Sequence, residues 1–274
     1  MDDARRSELE GIALDIRKDV VRMAGVSKSS GLLPALTVVE LLVYLYWEFM
    51  RIFPGQRNNP ERDRLVLSSV SAAPALYACL SSLGFFDRDE LWSYRRLGGM
   101  LQGYPDIRTP GIDAPGGTNG LGIALGLALQ IRMAGLGGRV FCVMGEGEPC
   151  GDGLWESIDA AAVHAPGNIF MIMESAGEPG GEMEAEAPLL KRLASFGWKA
   201  DVADGRDFAS IERAFRSIKT PMREPAAIIA LTGGSRRHPD AFESKAQDRP
   251  PSLDDVERAL SELDTKAGKR GGAA

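Results

Sequence analysis

Glycines that let the backbone approach a phosphate lie beside two carboxylates in one short turn of this 274-residue chain. An apolar run ends at Met144, and the turn that follows it consists of Gly145, Glu146, Gly147 and Glu148. In an α/β sheet, such a turn lies at the carboxyl end of a parallel strand, where ligands usually bind. The glycines let the backbone approach a phosphate closely. The turn therefore predicts a phosphate site, the alternative being that Glu146 and Glu148 are solvated carboxylates of a surface turn.

A second glycine-rich stretch, 116–122, leads into an apolar run at helical spacing over 123–133. A glycine-rich loop that enters a helix N-terminus is a ready anion site, because backbone N–H groups and the helix dipole both favour negative charge. Closely spaced glycines also serve to let a helix pack against a sheet. Both interpretations of this loop stay open from the sequence.

These turns are positioned by a regular alternation of helices and strands in the second half of the chain. The spacing of apolar residues predicts a helix from Leu154, a strand over 168–173, a helix over 187–196, a strand over 198–202, a helix over 208–218 and a strand over 226–231. Strands that alternate with helices of this length imply right-handed crossovers. The predicted fold class is α/β, with a doubly wound, mainly parallel sheet and helices on both of its faces.

The first half of the chain is predicted to be mainly helical. Helices are indicated over 7–23, 34–51 and 72–83, with a loop over 25–31 and a strand over 65–67. The helix over 34–51 is apolar on most sides, which favours burial inside the domain or against a partner subunit. Near the end of the chain, Ser252 with Asp255 is predicted to cap a last helix that reaches about Lys266, before a frayed tail.

Composition and charge argue against several classes of function. The chain is 44% hydrophobic and 26% charged, has a formal net charge of −6, and lacks a run of Lys and Arg that would follow a nucleic-acid backbone. Its 3 cysteines form no C-x-x-C pair, which argues against a zinc or redox site and favours a reducing cytoplasm. The apolar stretch 32–50 contains Glu40 and Glu48, so no membrane span is predicted.

Six motifs, in order along the chain, carry a family resemblance. They lie at 63–68 (DRLVLS), 72–77 (AAPALY), 101–106 (LQGYPD), 120–129, 145–157 and 196–198 (FGW). Together they resemble the N-terminal, thiamine-diphosphate-binding part of transketolase, in the split form in which the enzyme consists of two polypeptides. The resemblance spans about 12–231, which is most of the chain.

This resemblance implies the thiamine-diphosphate-binding fold, with a diphosphate-binding domain over 1–245 and a C-terminal helix and flexible tail over 246–274. In the family, thiamine diphosphate is held through Mg²⁺ at an interface with a pyrimidine-binding partner of the transketolase C-terminal type, which supplies the glutamate that activates the cofactor. The implied assembly is a dimer or a heterotetramer. The cofactor-binding residues implied for this chain are Gly120, Gly145, Glu146, Gly147 and Glu148.

The chain departs from the family where the family places histidines. Those positions, after the first helix, after the first strand and in a Gly-His-Pro motif, fall near Gly31, at Ser71 and at Tyr104. The 2 histidines of the chain, His164 and His238, lie elsewhere. Imidazoles move protons near neutral pH, and hydroxyl groups do not replace that chemistry. No catalytic residue is therefore predicted, Tyr104 is expected to fill the space of an imidazole, and two-carbon ketol transfer is expected to be impaired.

The metal ligands implied by the resemblance are altered as well. The aspartate of the family's Gly-Asp-Gly motif is Glu146, and the asparagine at the end of the next strand is Ala176. Mg²⁺ demands near-ideal octahedral oxygen geometry, so a longer carboxylate and a missing ligand are expected to weaken or abolish binding of metal and cofactor. Glu174, Ser175 and Glu178 are the nearby candidates to replace the lost ligand.

Three functions remain open on these residues. The first is a catalytically impaired or pseudoenzyme subunit that pairs with a pyrimidine-binding partner. The second is an active thiamine-diphosphate-dependent ketol or aldehyde transferase half with an altered substrate. The third is a phosphate- or nucleotide-binding protein without thiamine, for which the 116–122 loop is the only support. The charged pair Arg95 and Arg96 is expected to be a solvated helix face rather than a clamp for a sugar phosphate.

Overall fold

The computed structural model describes residues 1–30, 33–56, 58–117, 119–145, 153–164, 167–177, 186–218, 224–233, 239 and 250–271. For Leu33 and 266–271 it describes the backbone alone.

Five parallel strands form one sheet in this part of the chain. They are β1 (Arg64–Leu67), β2 (Val140–Met144), β3 (Ile169–Ser175), β4 (Lys199–Asp204) and β5 (Ala226–Leu231). Their order across the sheet is β1-β2-β3-β5-β4, and every neighbouring pair is parallel. The central strands β2, β3 and β5 are almost continuous apolar runs because successive side chains point to opposite faces and both faces are covered, whereas β4, at one edge of the sheet, is polar at several positions and only partly buried. The predicted parallel α/β sheet is confirmed.

Helices cover both faces of the sheet. They are α1 (Asp3–Ser27), α2 (Leu33–Thr37), α3 (Val39–Tyr44), α4 (Ala73–Ser82), α5 (Gly120–Met133), α6 (Leu154–His164), α7 (Ala187–Ser195), α8 (Phe208–Ile218) and α9 (Leu253–Gly271). One face carries Phe141 and Phe170 and packs against α1 to α4, α8 and α9. The other carries Cys142 and Met171 and packs against α5, α6 and α7. Of the helices described, none has the length and apolar character needed to cross a bilayer.

The predicted helix over 34–51 is divided in the structure. α2 and α3 are followed by a π-helical turn over Leu45–Phe49. This turn brings the ring of Phe49 into an aromatic cluster, with its centroid 4.5 Å from that of Phe215 and 5.8 Å from that of Phe141. Such aromatic pairs gain about 0.5–1.5 kcal/mol beyond their buried area, which offsets the poorer hydrogen bonding of a π turn. Apolar periodicity does not reveal a break of this kind.

The first helix is longer than predicted at both ends. α1 begins at Asp3 because Asp2 caps it, accepting a hydrogen bond from the backbone N of Arg5 at 2.8 Å. It continues to Ser27, so the first residues of the predicted 25–31 loop are helical. Lys28 ends the helix in a left-handed conformation with a φ of 50°.

The last helix packs against the first. Ser252 and Asp255 form the predicted cap, with the Asp255 backbone N donating to Ser252 Oγ at 3.2 Å and the Ser252 backbone N donating to Asp255 Oδ2 at 3.0 Å. α9 extends to Gly271, beyond the predicted end. Its Val256 lies so close to α1 that a Cβ on Gly25 would be 2.8 Å from Val256 Cγ2. The predicted frayed end, 272–274, lies outside the described residues.

A buried carboxylate fastens the amino ends of β1 and β2. Asp63 accepts hydrogen bonds from the backbone N of Arg51 at 2.8 Å, and from the backbone N and the Nε of Arg139 at 2.8 and 3.0 Å. The Arg139 guanidinium also lies 4.6 Å from the centroid of the Phe49 ring. These contacts fix β1 and β2 at their amino ends. The residues at the carboxyl ends of the two strands are left to form a site.

Candidate functional site

The glycine-rich loop at 116–120 lies against the carboxyl end of β1. Ser68, the residue after that strand, donates a hydrogen bond from its Oγ to the carbonyl oxygen of Gly117 at 2.8 Å. A Cβ on Gly120 would lie 2.5 Å from Ser68 Cβ, and a Cβ on Gly116 would lie 2.6 Å from Pro105 Cδ. Glycine is therefore required at both positions for close packing, in agreement with the packing interpretation of this loop.

The same loop places the N-terminus of α5 next to the N-terminus of α6. Asn119, which precedes α5, makes no side-chain capping hydrogen bond, so its side chain does not occupy the first N–H groups of this helix. A Cβ on Gly153, just before α6, would lie 3.3 Å from Asn119 Oδ1, and one on Gly122 would lie 3.2 Å from Ser157 Oγ. The N-termini of α5 and α6, each with a partial positive charge, therefore lie side by side beyond the carboxyl ends of the strands. This arrangement suits a diphosphate.

Gly145 directly follows β2 and lies at the carboxyl end of that strand, as predicted. The remaining predicted residues of the turn, Glu146, Gly147 and Glu148, lie outside the described residues. The described part of the predicted cofactor site is therefore Gly120 and Gly145, each at the carboxyl end of a neighbouring strand.

Ser71 and Tyr104, two of the three positions predicted to correspond to imidazoles of the family, lie on segments near the end of β1. Ser71 lies in a short 3₁₀ turn, Val70–Ala72, and its Oγ is 3.2 Å from Ser69 Oγ. α2 packs against this turn, which brings the segment before α2 close to it. Gly31 lies outside the described residues, but Ser29 is described and buried. Tyr104 is 66% exposed and precedes Pro105, whose carbonyl oxygen accepts a hydrogen bond from the backbone N of Gly116 at 3.2 Å.

A buried tyrosine, Tyr77, holds the loop that carries Tyr104 through a hydrogen bond to the loop backbone. The Tyr77 hydroxyl, on α4, donates to the carbonyl oxygen of Gln102 at 2.9 Å, and burial raises the pKa of Tyr77. Gln102 in turn donates from Nε2 to the carbonyl oxygen of Gly99 at 2.6 Å. Further along, the Arg108 guanidinium lowers the pKa of Asp106 to about 2, which keeps that carboxylate charged. The phenol of Tyr104 is therefore presented to solvent on an ordered loop.

Arg95 belongs to this region and is not part of a helix face. The short helical turn before it ends at Ser93, and Arg95 has a left-handed backbone with a φ of 57°. Its backbone N donates to the carbonyl oxygen of Leu101 at 2.8 Å, and its Nη1 donates to Ser29 Oγ at 3.3 Å. The predicted helix face is wrong because this turn reverses the chain, which residue spacing did not indicate.

Glu174 and Ser175, the two described residues among the predicted substitute metal ligands, do not lie together. Glu174 is buried and pairs in register with Ala230, whereas Ser175 pairs with Leu231, so their side chains lie on opposite faces of the sheet. Ser175 Oγ donates to Glu186 Oε1 at 2.7 Å and accepts from the backbone N of Gly177 at 3.3 Å. Glu178 lies outside the described residues, and the roles of all three as ligands stay predictions.

Glu186 is a carboxylate at this strand end that the sequence did not single out. A Cβ on Gly177 would lie 3.0 Å from Glu186 Oε1, so the carboxylate covers the backbone beside Ala176. No signal in the sequence selects it, because it follows a segment with several other glutamates.

The described residues fit a diphosphate better than they fit a magnesium ion. Two helix N-termini and glycines without a Cβ provide backbone donors for a diphosphate. For a metal, Ala176 offers no side-chain ligand, and no group of three or more His, Cys, Asp or Glu within the described residues is arranged to hold an ion. A hexacoordinate Mg²⁺ requires oxygen ligands at several positions, so the described part of the site does not complete one.

Comparison with known proteins shows the family to which the chain is similar. The family model described as "Transketolase, thiamine diphosphate binding domain" matches residues 18–235. A relative named as one of the subunits of apulose-4-phosphate transketolase, from Actinobacillus succinogenes, is 31% identical over 271 residues, covering 93% of this chain and 96% of the relative. Another, named 6-deoxy-6-sulfo-D-fructose transketolase subunit SqwG, from a Clostridium species, is 32% identical over 206 residues, covering 72% and 74%.

Longer relatives match over only part of their length. Transketolase-like protein 2 of Mus musculus is 30% identical over 257 residues, which cover 88% of this chain but 41% of the relative. Among solved structures, the transketolase of Campylobacter jejuni superposes with a TM-score of 0.78 at 22% identity, covering 96% of this chain and 43% of that protein. At this identity the likeness establishes the fold.

Proposed function

The chain belongs to the family of the transketolase thiamine-diphosphate-binding domain, and from this premise we propose that it is the diphosphate-binding subunit of a two-chain, transketolase-like assembly with impaired ketol transfer. The observation that carries the proposal is the pairing, at the carboxyl end of β1, of a well-packed glycine loop with Ser71 and Tyr104. The loop suits a diphosphate, whereas the two side chains carry hydroxyls where the family carries imidazoles.

The residues of this chain would bind and orient the cofactor rather than move protons. The N-termini of α5 and α6 direct backbone N–H groups at the diphosphate, and Ser68 holds the loop that forms one wall of the site. Thiamine diphosphate, when bound, supplies the carbon nucleophile for the transfer of a two-carbon unit. Mg²⁺ binding is proposed to be weakened, since Ala176 has no side-chain ligand atom.

The impairment follows from the acid–base chemistry of the substituted side chains. A positioned general acid or base contributes about 10²- to 10⁴-fold to a rate, and histidine is the group that titrates near neutral pH without assistance. The hydroxyls of Ser71 and Tyr104 offer hydrogen bonds to a substrate but do not replace the proton transfer of an imidazole. Replacement of three imidazole positions therefore lowers ordinary ketol transfer severely.

The proposed partner is a pyrimidine-binding chain of the transketolase C-terminal type. Relatives that match this chain over most of their own length are named as subunits, which supports an assembly of two kinds of chain. The cofactor site is completed at the interface in that assembly, and the proposed location is the cytoplasm. Tyr104 and Ile107, both exposed, lie on the loop beside the site where such an interface would form.

Calorimetry of cofactor binding tests this proposal. Thiamine diphosphate with Mg²⁺ is titrated into the chain alone, into the candidate partner alone and into their mixture, and the mixture is assayed for ketol transfer between sugar phosphates. The expected result is a stable complex that binds cofactor weakly and transfers slowly. Absence of a complex removes the proposed pairing of two chains, and transfer at the rate of an intact transketolase removes the impairment.

An active half-enzyme with a different substrate is the second candidate. The names of the relatives from Actinobacillus and Clostridium specify different sugars, a phosphorylated one and a sulfonated one. A changed set of side chains around a retained cofactor cradle is compatible with a further change of substrate. In the mixture described above, tight cofactor binding with no transfer between common sugar phosphates would favour this candidate.

A further inference from the structure

The sheet ends at β4, and side chains lie along the outer edge of that strand. Within the described residues, β4 pairs with β5 alone. We propose that Asp201 and Ser210 close this edge to a strand of another polypeptide, including β4 of a second copy of this chain. The proposal goes beyond the proposed cofactor-binding role and does not depend on thiamine diphosphate or on a partner chain.

Alternate residues of β4 direct their backbone groups away from β5. In a parallel pair of strands, every second residue hydrogen-bonds to the neighbouring strand. The backbone N–H groups of Lys199, the first residue of β4, and of Gly205, the residue after it, donate towards β5 at 3.0 and 2.8 Å. The odd-numbered residues therefore face β5, and the N–H groups of Ala200, Val202 and Asp204 point outward.

Side chains engage two of these three outward N–H groups. The backbone N of Val202 donates to Asp201 Oδ1 at 2.8 Å. The backbone N of Asp204 donates to Ser210 Oγ, on α8, at 3.0 Å. The second carboxylate oxygen of Asp201 accepts a hydrogen bond from Ser217 Oγ, also on α8, which holds the side chain in place. A strand that approached this edge would have to displace these acceptors, since each backbone N–H is a single donor.

The opposite edge of the sheet is closed by a loop. β1 directs the backbone groups of Leu65 and Leu67 outward, away from β2. The backbone N of Leu65 donates to Asp113 Oδ2 at 3.3 Å, and a Cβ on Gly116 would lie 3.1 Å from the carbonyl oxygen of Leu67. The loop that carries Asp113 and Gly116 therefore covers β1. Among the described residues, no backbone carbonyl accepts from the outward N–H groups of β4, so side chains alone do so at that edge.

Aspartate is locally unfavourable in the middle of a strand, which makes Asp201 notable. Strands prefer β-branched and aromatic residues, and aspartate is depleted in them. β4 is partly exposed at five of its six residues, whereas β5 is buried at all six, so the edge groups of β4 lie near solvent. An open edge of this kind pairs readily with a strand of another chain. The carboxylate offsets its low strand propensity by occupying a backbone group that would otherwise favour such pairing.

Sedimentation velocity and hydrogen exchange of the full chain test the proposal. In the double variant Asp201→Val with Ser210→Ala, the N–H groups of Val202 and Asp204 lose their acceptors. We expect its association constant for self-association to exceed that of the unaltered chain by about tenfold or more, as backbone hydrogen bonds form between chains. The amides of Val202 and Asp204 should exchange faster than in the unaltered chain in dilute samples, and should become protected as the variant associates.

Matched variants separate the loss of an acceptor from the loss of charge. Asp201→Asn removes the same charge but keeps an oxygen that accepts from the backbone N of Val202, so its self-association should equal that of the unaltered chain. Ser210→Ala alone frees only the N–H group of Asp204 and should raise self-association by a smaller factor. It is the second variant should the double variant fold poorly, which circular dichroism and thermal unfolding report.

Three outcomes would overturn the proposal. The first is self-association that is unchanged in both the folded double variant and Ser210→Ala. The second is Asp201→Asn associating as strongly as the double variant, which would mean that charge rather than a hydrogen-bond acceptor keeps chains apart. The third is increased association that leaves the amides of Val202 and Asp204 unprotected, which would place the new contact on another surface. All of these measurements use the chain alone, so none bears on cofactor binding by a two-chain assembly.

Discussion

Gly120 lies directly against Ser68, since a Cβ on the glycine would be 2.5 Å from the Cβ of the serine. This close approach allows the first turn of α5 to reach the carboxyl end of β1. It also lets Ser68 Oγ hold the carbonyl oxygen of Gly117 at 2.8 Å. The packing of α5 and the shape of the proposed diphosphate cradle therefore depend on the same glycine.

Replacement of Gly120 by alanine should damage both packing and cofactor binding. The added methyl group forces Ser68 or α5 to move, and overpacking of this kind costs about 1–3 kcal/mol. Displacement of the helix N-terminus should also weaken thiamine diphosphate binding in the assembled complex. Urea denaturation of the chain measures the first effect, and calorimetry of the complex measures the second.

Gly126, on the same helix, provides the matched control. A Cβ there would meet no atom within 4 Å, and the residue is exposed. Gly126→Ala should therefore raise the free energy of unfolding by about 0.5–1 kcal/mol through helix propensity. If Gly120→Ala were as stable as Gly126→Ala, the close contact between Gly120 and Ser68 would not govern this loop.

Asp63 should be among the most important polar residues for stability. Its side chain is fully buried and accepts hydrogen bonds from Arg139 and from the backbone N of Arg51. Asp63→Ala leaves the largely buried guanidinium of Arg139 without its carboxylate, and removal of one partner of a buried pair costs about 3–5 kcal/mol. Asp106→Ala, which breaks an exposed pair with Arg108, should change the urea midpoint little. Equal midpoints for the two variants would contradict this difference.

Tyr77 should control the order of the loop that carries Tyr104. Tyr77→Phe removes the hydrogen bond to the carbonyl oxygen of Gln102 while keeping the ring, at a cost of about 1 kcal/mol. Hydrogen exchange of the amides over 99–105 should become faster than in the unaltered chain. Tyr94→Phe is the control, because its ring packs 6.0 Å from that of Tyr77 but its hydroxyl has no hydrogen-bond partner in the described residues. Similar exchange in both variants would show that the hydroxyl of Tyr77 does not order the loop.

The sequence predicted the central strands of the sheet well because they are almost continuous apolar runs. The helix over Phe208–Ile218 and the strand over Ala226–Leu231 have the predicted bounds. The division of the predicted 34–51 helix was missed, because it depends on how Phe49 packs against rings distant in the chain. Local periodicity carries no information about such contacts.

The roles of the candidate site residues stay predictions, and only part of their surroundings follows from the sequence. The place of Gly145 after β2 follows from the apolar run that ends at Met144, whereas Gly120 is implied by the family resemblance. The contact of Arg95 with Ser29 joins residues 66 positions apart and depends on a left-handed arginine, a conformation that sequence reasoning assigns to glycine or asparagine. Glu186 reaches Ser175 across the undescribed residues 178–185, and no spacing rule indicates that pairing.

Restoration of the family's metal ligands should strengthen cofactor binding. Glu146→Asp shortens the carboxylate, and Ala176→Asn adds an amide oxygen at the exposed position between Ser175 and Gly177. Mg²⁺ tolerates little departure from octahedral geometry, so the double variant should bind thiamine diphosphate about tenfold more tightly when Mg²⁺ is present. Calorimetry of the assembled complex, with and without EDTA, measures the change that depends on the metal.

The control for this experiment changes charge without changing length. Glu146→Gln removes the negative charge from the position assigned to a ligand and should abolish the remaining dependence of cofactor binding on Mg²⁺, since amide oxygens bind the ion more weakly than carboxylates. If neither the double variant nor Glu146→Gln alters that dependence, positions 146 and 176 are not the former ligand positions. The carboxylate of Glu186, which already covers the backbone beside Ala176, would then be the next residue to replace.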